Sequence, residues 1–107
     1  MLQTLYFTIA DRDAAVRLAR RLVQERLVAC ANIVDSVTSV YQWEGEVHED
    51  AEVIVFAKTT SELSHPAIER VLELHEYDCP CVVSWKIETA SSAYQQWVES
   101  ETRNQSD

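Results

Sequence analysis

Glycine is nearly missing from this chain: Gly45 is its one representative in 107 residues. Phosphate cradles and dinucleotide-binding turns need several glycines, because only a backbone without Cβ comes close enough to a phosphate. A P-loop and a dinucleotide fingerprint are therefore excluded. GxSxG, HExxH and CxxC do not occur either, which removes three common catalytic and redox signatures.

Positive charge is scarce as well. Nine Lys and Arg stand against eighteen Asp and Glu, for a formal charge of −9. Such a chain repels phosphate backbones, so no nucleic-acid partner is expected. Arg17, Arg20, Arg21 and Arg26 are the one basic concentration, and they read as the solvated face of a helix. No apolar run approaches the roughly 20 residues of a membrane helix, so no membrane partner is expected. The opening MLQTLYFTIADRD lacks the basic start and cleavage pattern of a signal peptide. Three cysteines, an odd number, argue against a secreted disulfide framework. The cytoplasm is the expected compartment.

What is present suits one domain with one core, at 47% hydrophobic and 25% charged residues. Residues 1–102 are expected to form it, and 103–107 to fray. Leu5 to Ile9 is a β-rich run. Ala15, Leu18, Ala19, Leu22 and Val23 recur at helical spacing, predicting a helix over about 12–27 with Asp11 as N-cap. From Ala29 the residues become β-branched, Glu44-Gly45 is a turn, and Val47 to Lys58 returns the chain. A hairpin follows, each arm of about 12 residues and about 40 Å, long enough to project from the domain. Asp35-Ser36 suits a bulge in the first arm.

Thr59, Thr60 and Ser61 offer cap chemistry for a second helix, with Pro66 suited to its first turn. That helix ends near His75. Cys81 to Ile87 is a further strand, and Ala93, Trp97 and Val98 suggest a short closing helix. The order is β-α-β-β-α-β plus a terminal helix: an α+β, ferredoxin-like plan with both main helices on one face of a four-stranded antiparallel sheet.

The strands do not alternate as a half-solvated sheet would, most plainly at Val53 to Ala57. Both faces of the sheet centre are expected to be buried, and a long hairpin offers bare edges. A closed homo-oligomer answers both demands; the alternative is a monomer whose closing helix covers the second face.

Cys79-Pro80-Cys81 is the densest chemical feature. An extended backbone points both thiols to one side, and His75 can approach across the helix-to-strand turn. Thiolates with imidazole suit Cu(I) or Zn(II) better than Mg(II) or Ca(II). Cysteine also packs as a small apolar core residue, and that reading competes for Cys30 as well. A Cys79–Cys81 disulfide is strained and not expected. His48 and His65 read as surface residues. Glu52 and Lys58 sit on a largely apolar strand, where a buried charge must be paired. Lys58, Tyr77 and Trp43 can line an inter-subunit pocket for an anion, or Glu52 and Lys58 can form a structural ion pair. Trp43 and Trp97 also suit packing anchors. No nucleophile, base and orienting group form a recognisable set, so no enzyme activity and no required cofactor are expected.

QERLVACANI (24–33), SVYQWEGEVHEDAEV (39–53), AKTT (57–60) and HEYDCP (75–80) resemble the CutA family, the divalent-cation tolerance proteins. The likeness runs in order over about residues 3 to 98. It implies a ferredoxin-like fold, a homotrimer assembled through the long hairpins, and a metal-linked role with copper as the foremost ion. CutA trimers are also similar to PII-like signalling proteins, whose ligand sites lie in inter-subunit clefts, which implies a small anionic ligand as the alternative. The family pattern places Cys30 and Asn32 at the end of the first crossover. It places Tyr41, Trp43, Glu44, Gly45 and Glu52 around the hairpin, Lys58 at its end, and His75, Tyr77 and Pro80 before the last strand. Two departures stand out: Glu76 replaces a proline, and Cys81 a glutamate, with Cys79 just before. The expected metal donors are Cys30, His75, Cys79 and Cys81; the expected cleft residues are Trp43, Glu52, Lys58 and Tyr77.

Overall fold

The computed structural model describes residues 1–103. Its elements are β1 (Leu2–Ile9), α1 (Arg12–Gln24), β2 (Cys30–Trp43), β3 (Glu46–Thr60), α2 (Ser61–Leu74), β4 (Val82–Lys86) and α3 (Ser92–Glu101). The strands form one antiparallel sheet in the order β2-β3-β1-β4, the ferredoxin-like plan expected from the sequence. No helix among the described residues is long and apolar enough to cross a membrane.

Asp11 starts α1 by accepting a hydrogen bond from the Ala14 amide at 2.8 Å. The helix stops at Gln24 rather than near residue 27, because Arg26 takes a left-handed φ of 59°. Leu27 N then donates to Leu22 O and Arg26 N to Val23 O, both at 3.0 Å, closing a Schellman end with arginine where glycine is usual. Arg26 therefore leaves the solvated helix face. Its guanidinium donates to the carbonyls of Ser100 (2.8 Å), Glu101 (3.2 Å) and Thr102 (3.4 Å) at the end of α3. Arg103, the first residue of the expected tail, donates its amide to Arg26 O at 2.8 Å. The rest of the expected tail, 104–107, lies outside the described residues.

Helix α2 also differs from expectation. It begins at Ser61, so Pro66 is its sixth residue, and the N-cap Thr60 makes no side-chain cap bond. The neighbouring hydroxyls serve elsewhere: buried Thr59 donates to Leu27 O at 2.6 Å, and Ser61 to Met1 O at 3.1 Å.

Leu5, Phe7 and Ile9 of β1 and Val53, Val55 and Ala57 of β3 face the two helices. They pack with Ala15, Leu18 and Leu22 of α1 and Leu63, Ala67 and Val71 of α2. Each large side chain fully buried here contributes about 1.5–3 kcal/mol. The second face is different. α3 covers one end, where Val98 packs with Leu2 and Ala29. Beyond it Val34, Val83 and Trp85 stay 42–46% exposed, so within one chain the second face is half open rather than buried.

The hairpin turns at Glu44 (φ 50°) and Gly45 (φ 83°), two left-handed residues whose twist matches the strands. Its register skips between Val34 and Val37, where Asp35 and left-handed Ser36 (φ 62°) form the expected bulge. Across the bulge, second-face residues change from Cys30, Asn32 and Val34 to Val37, Ser39, Tyr41 and Trp43. Arg12 holds Asp35 at 3.1 Å, tying the bend to the start of α1.

Candidate functional site

The second face, the bent hairpin and the segment after α2 enclose a cleft of about 680 Å³. β1 contributes Tyr6 and Thr8; the hairpin contributes Ser39, Tyr41, Trp43, Asp50 and Glu52; the segment before β4 contributes Glu76, Tyr77, Asp78, Cys79 and Cys81.

His75 sets the last group. It is buried, its amide closes α2 on Val71 O at 2.8 Å, and its ring lies edge-on to Phe7. Its Nδ1 faces the Tyr77 amide at 3.1 Å and its Nε2 faces Thr8 O at 2.7 Å. An amide must donate and a carbonyl must accept, so the ring is neutral with its proton on Nε2. Held this way, the chain swings Tyr77 across the sheet, where its hydroxyl donates to Glu52 Oε2 at 2.9 Å. On the hairpin, the Tyr41 hydroxyl donates to Asp50, and its ring stacks on His48.

These phenols are held protonated. Burial, then the Glu52 hydrogen bond, pushes Tyr77 up to about 12. The Asp50 hydrogen bond raises Tyr41; burial, then nearby Cys81 and Glu52, raises Tyr6. The cleft thus joins hydroxyl donors and aromatic faces to four carboxylates and two free thiols, with no Lys, Arg or His among the described residues of its lining. The lining that one subunit supplies is therefore acidic.

The family model of the CutA1 divalent ion tolerance proteins matches residues 3–101. The chain belongs to this family. It is 43% identical over 100 residues to chloroplastic Protein CutA of Arabidopsis thaliana, an alignment covering 94% of this chain and 55% of that protein; the chain thus spans about half of that relative's length. It is 38% identical over 102 residues to the Divalent-cation tolerance protein CutA of Thermus thermophilus, covering 95% and 99% of the two chains. The solved structure of the divalent cation tolerance protein from Thermus thermophilus superposes with a TM-score of 0.92, covering 96% of this chain and all (100%) of that one.

Within this CutA-type fold the expected site residues divide. Trp43, Glu52 and Tyr77 meet in the cleft, and Cys79 and Cys81 join them there. Lys58 does not: it pairs with Cys30 on β2 and Thr4 on β1, away from the cleft lining, and forms no ion pair with Glu52. Cys30 is likewise remote. Its Sγ lies 3.3 Å from the Tyr94 hydroxyl of α3, level with Thr4, whereas Cys81 meets Thr8, four residues along β1 and so about 13 Å away. His75 has both ring nitrogens engaged and is not a free donor. The expected four-residue metal set is therefore not assembled, and among the described residues no group of three or more His, Cys, Asp and Glu is placed to hold a metal ion.

Tyr6, Asp50 and Asp78 also line the cleft without being singled out by the sequence, and Glu76, noted there only as a departure from the family pattern, lines it too. For Asp50 a signal existed: the two-residue turn fixes Ser39 opposite Asp50 and Tyr41 opposite His48, placing them on the face of Glu52.

Proposed function

We propose that this chain contributes to metal-ion tolerance in the cytoplasm as a homotrimer that binds soft or borderline metal ions, copper foremost, at the thiol-bearing mouth of its acidic cleft. The observation that carries this reading is that Cys79 and Cys81 are both free and exposed and open onto a cleft that holds four carboxylates and, among the described residues, no cationic side chain. Thiolates select soft ions, and surrounding negative charge concentrates cations. Neither Cys30 nor His75 belongs to this donor pair.

The open second face supports assembly: Val34, Val83 and Trp85 leave apolar surface that a second and third copy can cover. The chain acts in this reading as a binding protein without enzymatic turnover or a resident cofactor. Its charge of −9 disfavours nucleic acid and anionic membranes as partners. A small anionic ligand is not favoured, since Lys58 stands outside the cleft and the carboxylates repel anions.

Titration of reduced protein with Cu(I) against a chromogenic chelator tests the proposal. Stoichiometric binding lost in the Cys79→Ser/Cys81→Ser double variant is the expected result. Binding that persists in that variant, or none in either protein, overturns it.

A further inference from the structure

Charge on the second face of the sheet is divided between its two ends. Alternate positions of a strand point to one side; Val53, Val55 and Ala57 of β3 face the helices, so Glu52 and Lys58 face the other way. Lys58, between Thr4 and Cys30, is the one lysine or arginine that the four strands place on that face. It is half-buried and forms no ion pair with any of the described residues. Glu52, only 8% exposed, forms none either, and its Oε2 is bonded by Tyr77. Six residues along β3 separate the two, about 20 Å. A lysine side chain cannot span that gap within one chain.

This is the face through which the proposed homotrimer assembles, and the inference rests on that assembly. Covering the face with another copy strips water from both charges, and a buried charge left unpaired is strongly destabilising. Each copy thus brings a cation without a partner at one end and a carboxylate without a partner at the other. Identical subunits satisfy both by setting the Lys58 end of one on the Glu52 end of the next. A head-to-tail contact of this kind closes into a ring when its rotation permits. We infer that Lys58 of a neighbouring copy completes the cleft, donating to Glu52 Oε1 while Tyr77 holds Oε2. Asp50 is the weaker competitor, being exposed and already bonded by Tyr41. The floor of the cleft is then built from two subunits, while Glu76, Asp78 and the two thiols remain for the metal. Engaged by Glu52, the lysine offers no free charge to an anion.

The test follows the mass of reduced, metal-free, full-length protein on dilution in fixed, sub-denaturing urea, by analytical ultracentrifugation. Far-UV dichroism checks that the subunits stay folded. Lys58→Glu and Glu52→Lys should each raise the concentration of half-dissociation about tenfold or more. The double reversal, Lys58→Glu/Glu52→Lys, rebuilds the pair with its charges exchanged and should return that concentration to within about threefold of wild type. If Glu52→Lys fails to fold, Lys58→Gln, Glu52→Gln and their double serve instead. That double should dissociate no more readily than the worse single, since each single leaves one charge buried and unpaired. A double reversal no better than either single, additive neutral variants, or a Lys58 variant equal to wild type overturns the inference and leaves the assembly standing. Wild-type protein that is monomeric at every concentration overturns the assembly itself, and the inference with it.

Discussion

The Tyr77 hydroxyl donates to Glu52 Oε2 over 2.9 Å, joining the segment after α2 to the middle of β3. The bond gives the protein an alkaline signature. Unfolded tyrosine releases its proton near the ordinary 10.0, whereas Tyr77 holds it to about 12. Stability associated with this group is intact below pH 10 and is lost as the pH climbs toward 12, because unfolding then releases a proton. Thermal unfolding between pH 9 and 11 should show that decline, and Tyr77→Phe should make it shallower. It should not flatten it, since burial and Cys30 hold Tyr94 at about 12 as well.

At neutral pH the same substitution should cost about 1 kcal/mol, the usual net worth of one hydrogen bond. Urea denaturation measures it. A loss near zero would mean that water replaces the phenol at Glu52.

Arg26 combines a left-handed backbone with a side chain that binds three carbonyls of the α3 terminus. Arg26→Ala keeps the backbone strain and loses the clasp, so it should destabilise by about 2–3 kcal/mol. Arg26→Gly should be milder by about 1 kcal/mol, having relieved the strain. In both variants amide exchange should quicken at Val98 to Thr102 before it does in the helix-facing core.

Trp85 and Val55 lie on opposite sides of the sheet and should fail differently when charged. Trp85→Glu places a charge on the half-open face; the expected result is a lower mass by light scattering with unchanged far-UV dichroism. Val55 is fully buried among α1 and α2, so Val55→Glu should unfold the subunit, at a cost above about 4 kcal/mol. An unchanged mass for Trp85→Glu would refute assembly through this face.

Much of this architecture is legible in the sequence because its signals are periodic and local. Leu18 and Leu22 repeat at helical spacing, Asp11 caps, and Glu44-Gly45 turns. The donor set is not legible, since it depends on which end of a strand each side chain occupies. Cys30 and Cys81 share the second face of the sheet yet sit at its two ends, and no spacing rule reports that. His75 departs from expectation for another reason: its neighbours in sequence suggest a ligand, but a carbonyl on β1 and an amide two residues on claim both nitrogens. Arg26 resembles one more solvated arginine in sequence because backbone conformation at a helix end depends on where the next strand must start.

The bulge in β2 has a consequence for chain length. Val34 faces Ile54 and Val37 faces Glu52, so two residues, Asp35 and Ser36, stand against Val53 alone. Deleting Ser36 would leave every one of those partnerships possible and every side chain on its present side. What would vanish is the bend. The extra residue therefore specifies direction rather than pairing: it steers the outer arm so that Trp43 and Tyr41 overhang the sheet, and an arm shortened by that one residue would keep its ladder but aim past the cleft.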